Sequence, residues 1–160
     1  MSAPRAEPFS NSLPEKVLAL FEELPLDEAM PELVPTSTAS KLAHRLASEA
    51  VQEMDDPALE AAIWLYVDDL DRSHSTSQGI QDATGSMWHA IMHRREGDFS
   101  NAKYWLRMAG SHPAFETHDP MEFVDDVAAQ HFQNPEHLVE KQRQEWKMLF
   151  EWCLKRAGGA

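Results

Sequence analysis

Three times along the chain a helix-capping side chain is followed at once by proline: Asp56 and Pro57, Asp119 and Pro120, Asn134 and Pro135. An Asp or Asn side chain accepts from the free amides of a first helical turn. Proline, which has no amide and a preset φ, suits the position after it. Helices are therefore expected to start at these points, and apolar residues follow at helical spacing. Leu59, Ala62, Ile63, Tyr66, Val67 and Leu70 form one face, and Phe123, Val124, Val127 and Ala128 a second. Leu138, Trp146, Leu149, Phe150 and Cys153 form a third, with Lys155 and Arg156 placed well against the dipole of the last turn.

The remaining chain reads the same way. Ser12 and Glu15 match a capping box, with Pro14 in the first turn and Val17, Leu18, Leu20 and Phe21 as the stripe of a short helix. Pro25, Pro31 and Pro35 are too closely spaced for a long helix and make the next stretch a connector. Leu42, Leu46, Ala50 and Met54 mark a second helix that stops at Asp55 and Asp56. The helix opened by Pro57 is expected to run to about His74. A polar loop then leads to a helix over 86–95, and Gly97 and Asp98 restart the chain into a helix with Phe99, Ala102, Trp105, Leu106 and Ala109 on one side. Gly110 and Pro113 close it. No segment alternates as a strand does. The expected fold is all-α, a compact bundle of about six to seven helices. Residues 1–36 are an arm, a short helix and a Pro-rich connector, and 37–157 are a single helical domain.

Charge narrows the partners. Against 14 Lys and Arg stand 27 Asp and Glu, a formal net charge of −13, which repels phosphate backbones and anionic lipid. No nucleic acid or membrane partner is expected, and no stretch approaches the roughly 20 apolar residues of a membrane span. Cys153 is the only cysteine, so neither an internal disulfide nor a thiolate zinc site can form. A reducing, cytoplasmic setting follows as an expectation. Trp146 and Trp152 lie on different faces of the last helix, and exposure of either would suit a homodimer.

The segment EGDFSNAKYWLRMAGSHP resembles the turn and second helix of a tetratricopeptide repeat, with Gly97, Phe99, Ala102, Leu106 and Ala109 in the fitting positions. The helix before it departs from that pattern: Trp88 is displaced, and His93 stands where a tyrosine is common. The resemblance implies a helical hairpin. More broadly, residues 61–113, with WLYVDDLDRSHSTSQ and then WHAIMHRREGDFSNAKYW, resemble a family of uncharacterised all-helical proteins sharing this string. That likeness implies common descent and carries no activity; Val67 and Asp69 depart from it.

The same middle third holds the chemistry. His89, His93 and Glu96 are spaced four and three apart, so they share one side of a helix, and Asp71 and His74 are three apart on the helix before. If the two helices face each other, these five residues could hold a divalent metal such as zinc, iron, manganese or nickel with a position left for water, the basis of a metal-dependent hydrolase. Structural histidines satisfied by carbonyls or carboxylates are the alternative. Arg95 lies on the core side of its helix and needs a partner, for which Asp71, near the edge of the preceding helix's apolar face, or Asp98 is expected. An anion pocket could combine Arg94, Arg95, Lys103 and Arg107 with Tyr104, beside a cleft lined by Trp64. The function read first from these residues is a binding module for a small polar ligand or peptide, with the hydrolase as alternative. The serines of the loop lack a nucleophile elbow.

Overall fold

A computed structural model describes residues 13–158. The expected arm and the capping Ser12 lie outside the described residues. The protein is all-helical: α1 Glu15–Glu23, α2 Lys41–Val51, α3 Pro57–Tyr66, α4 Leu70–Ser77, α5 Ala83–Arg95, α6 Phe99–Ala109, α7 Pro120–Gln130 and α8 Glu136–Ala157, with a 3₁₀ turn at His131–Gln133 between the last two. No strand occurs among the described residues, and no helix there is long and apolar enough to cross a membrane.

The caps work as their chemistry dictates. Asp56 accepts from the Ala58 amide, Asp98 from that of Asn101, and Asp119 from those of Met121 and Glu122. Asn134 serves differently from expectation. It takes a left-handed conformation after the 3₁₀ turn, and its side chain accepts from the Leu33 amide at 2.8 Å, leaving Pro135 at the head of α8 without a side-chain cap. Its role is thus to tie the connector after α1 to the start of the last helix. The face of α2 is also rotated: Ala43, Ala47 and Ala50 are buried while Leu42 is 40% exposed. Small side chains let α2 lie close against α1 and α3, its neighbours in the bundle.

The largest departure lies at 67–69. The apolar spacing predicts one continuous helix to His74, but α3 ends at Tyr66 and α4 begins at Leu70. Asp68 sits between them at φ 61, and Asp69 caps α4 through the Arg72 amide. Two aspartates in succession favour capping and left-handed turns over helix interior, so the break is local chemistry that the apolar pattern masked.

At the centre, α3 and α5 are enclosed on nearly every side. From Ala58 to Tyr66 only Glu60 escapes full burial, and α5 buries eleven of its residues, among them His89, His93, Arg94 and Arg95. Around them, α8 contributes Trp146, whose Nε1 donates to the Ala62 carbonyl at 2.9 Å and whose rings stack on Phe150. Val17, Leu20 and Phe21 of α1 join the same core. A second, smaller cluster of Leu33, Phe123, Val127, Leu138 and Val139 fills the α7–α8 side.

Candidate metal centre

The break at 67–69 folds α4 back so that it packs on both α3 and α5. Ser73 is buried and donates to the Ala61 carbonyl at 3.0 Å, which pins α4 to α3 and leaves the next residue, His74, half-buried. The loop after α4 then enters α5 at very close quarters. A Cβ on Gly85 would collide with the Ile80 carbonyl oxygen, so only glycine allows this approach. One turn later comes His89, and one turn after that His93.

As a result His74, His89 and His93 form one cluster. Each offers a ring nitrogen, and the three nitrogens lie within 4.8 Å of one another. The ring centroids are 4.8 Å apart for His74 and His89, 4.7 Å for His89 and His93, and 5.6 Å for His74 and His93. Trp105 of α6 stacks on His89 at 4.2 Å and closes one side. His93 Nδ1 is hydrogen-bonded to Glu96 Oε1 at 2.5 Å, which directs the other ring nitrogen, Nε2, away from the carboxylate. Neither His74 nor His89 has a side-chain hydrogen-bond partner among the described residues. Burial, followed by the neighbouring His93 and His74, pushes His89 down to about 4, so its imidazole is neutral at physiological pH.

Of the five residues singled out as ligands, three histidines converge and Glu96 supports one of them from behind. Asp71 does not join: it is exposed in the first turn of α4, and no group of potential ligands among the described residues includes it. Asp98 comes within 4.8 Å of His93 and Glu96, but its carboxylate is occupied in capping α6, accepting from the Asn101 amide and from Asn101 Nδ2.

The arginine-lined cleft does not assemble from the residues named for it. Successive residues on a helix point roughly 100° apart, and because α5 is enclosed all round, Arg94 and Arg95 enter different parts of the core. Arg95 meets Asp68 at 2.6 Å and donates to the Leu65 and Glu32 carbonyls. Its partner is therefore Asp68, rather than Asp71 or Asp98, because the left-handed turn swings that carboxylate inward. Burial raises the Asp68 carboxyl despite the guanidinium beside it. Arg94 pairs with Glu145 of α8 at 2.5 Å and with Gln142. Lys103 pairs with Asp125, Tyr104 is half exposed, and Arg107 is exposed. Trp64 is buried between His44 and the Arg72 guanidinium, which lies 4.9 Å from its ring.

Sequence reasoning missed Asp68, His118 and Glu145. Glu145 falls on the buried stripe of α8, one residue before Trp146, and an acid at a core position is the signal that could have exposed it. No family model, curated protein or solved structure matches the chain.

Proposed function

We propose that His74, His89 and His93 bind a divalent transition metal, zinc foremost, and that the protein is a metal-dependent hydrolase. One observation carries the reading: two of three converging imidazoles have no other hydrogen-bond partner among the described residues, and the third is held through Nδ1 by a carboxylate. A histidine that merely orients a helix pair would spend its nitrogens on carbonyls or carboxylates, as His44 does on Asp69. Here one nitrogen of each ring lies within 4.8 Å of the others. Tetrahedral zinc at about 2.0 Å from each ligand requires nitrogens roughly 3.3 Å apart, so rotamer adjustments that close the nitrogens by up to about 1.5 Å complete the site.

The chain's own residues supply the rest. Glu96 fixes the tautomer and orientation of His93, as carboxylate partners of metal-binding histidines do. Trp105 holds the His89 ring and excludes water from one side of it. A centre with three protein ligands leaves a fourth position open, and the chemistry supplied there is activation of water and polarisation of a carbonyl or phosphoryl oxygen. The absence of thiolates favours zinc, nickel or iron over softer ions, and the scarcity of direct carboxylate ligands disfavours magnesium and calcium.

The test is elemental analysis of full-length protein purified without a polyhistidine tag or chelator, beside His89→Ala and His93→Ala variants. Near-stoichiometric metal in the wild type, lost from both variants, is expected, and a screen of ester and phosphoester hydrolysis follows. Wild-type protein that is metal-free and fails to bind added zinc, iron, manganese or nickel would overturn the reading.

A further inference from the structure

A second cluster lies at the other side of α6 and contains none of the three histidines above. An open cavity of about 460 Å³ is bounded by Leu106, Phe115 and Met121 on its apolar walls and by Ser111, His112 and His118 among its polar ones. That volume suits a small organic molecule.

The polar groups are not equivalent. His112 is fully engaged. Its Nδ1 accepts from the Ala114 amide at 3.1 Å, which leaves the proton on Nε2 to meet Thr84 Oγ1 at 2.9 Å. His118 is different. Its Nε2 is 2.7 Å from Glu145 Oε2, and its Nδ1 has no partner among the described residues. Phe115 and Phe123 pack edge-on against the ring and hold its orientation. Glu145 is completely buried, and its other oxygen is bound by Arg94. Burial raises the Glu145 carboxyl, but Arg94 and His118 outweigh it and hold the group below the usual carboxylate range. The carboxylate is therefore an acceptor fixed from behind by a guanidinium, and it takes the hydrogen bond from Nε2 of the ring. Nδ1, on a residue that lines the cavity, is left as the ring nitrogen without a partner among the described residues.

From the unpartnered nitrogen of a carboxylate-held histidine on an apolar-walled cavity, we infer that this cavity is a second ligand site for small hydroxylated apolar molecules of the phenol class, with His118 accepting the ligand's hydroxyl proton in a hydrogen bond. The apolar walls take the ring, and discrimination rests on the hydroxyl, because a ligand without a donor leaves Nδ1 desolvated and unpaired. The site is independent of any metal at the three-histidine cluster.

The probes are phenol, anisole and benzoate, titrated into the full-length protein while imidazole resonances are followed by NMR. Phenol is expected to shift the His118 resonances saturably, and anisole, which lacks the proton, to bind at least tenfold more weakly. His118→Ala should abolish the phenol response. Because that change also disturbs a buried pair, Met121→Trp serves as a second variant, filling the cavity from its wall while leaving His118 and Glu145 in place; it too should abolish binding. Equal binding of phenol and anisole, preferential binding of benzoate, or no saturable shift with any probe would each overturn the assignment. A phenol response that survives Met121→Trp would overturn it as well. The readout is unaffected by the loss of metal in His89→Ala, so the two proposals fail separately.

Discussion

Replacing Asp68 with alanine tests how the two halves of the middle region are joined. Asp68 and Arg95 form a pair in which both side chains are almost wholly removed from water. Such a pair adds little over an apolar substitute, since desolvation offsets attraction, but removing one member strands the other at a cost of about 3–5 kcal/mol. Arg95 keeps its bonds to the Leu65 and Glu32 carbonyls, which places the loss near the lower end, about 3 kcal/mol. The left-handed backbone at φ 61 adds about 1 kcal/mol for alanine, a cost that glycine avoids. Equilibrium urea unfolding should therefore rank wild type above Asp68→Gly and Asp68→Gly above Asp68→Ala, with about 1 kcal/mol between the variants. In a domain whose total stability is on the order of 5–15 kcal/mol, this shift in midpoint is large. Arg95→Met added to Asp68→Ala removes the stranded charge and should recover part of the loss. If Asp68→Ala unfolds within about 0.5 kcal/mol of wild type, the pair is solvated and does not hold the turn from α3 into α4.

Other outcomes rest on the same geometry. Glu96→Gln should weaken metal binding by about 10- to 100-fold, measured by competition with a chromophoric chelator, since it loosens His93 without removing a ligand. In metal-free protein His89 has a folded pKa below its unfolded one, so the unfolded state binds the extra proton. Stability should fall as pH drops from about 6.5 toward 4. His89→Gln should flatten that part of a pH series of thermal unfolding, and an unchanged slope would refute the assignment. Glu145 has a lowered folded pKa, so its contribution is present above the ordinary carboxylate range and lost as pH falls through the folded value. Glu145→Gln should remove that acid-side loss while lowering stability at neutral pH. Gly85→Ala should destabilise by about 1–3 kcal/mol despite the better helix propensity of alanine, because the added methyl meets a backbone oxygen rather than a yielding side chain.

The sequence by itself determined where most helices start, because caps act within three or four residues. Asp56, Asp98 and Asp119 bond to amides of their own first turns, and no other part of the chain is needed for that. It also determined that His89 and His93 share a side of one helix, since the 3.6-residue repeat is local. Whether His74 would meet them was decided by tertiary structure. That meeting depends on the turn at Asp68, on Ser73 bonding across to α3, and on the close passage of Ile80 over Gly85. The same holds for the fate of the arginines. Periodicity assigns Arg94 and Arg95 to a helix, but a helix enclosed on all sides has no solvent face, so each guanidinium had to find an acid, Glu145 at 51 residues' separation and Asp68 at 27. Pairings at such distances follow from how helices stack, and helix stacking is set by the summed packing of many side chains rather than by the spacing of a few.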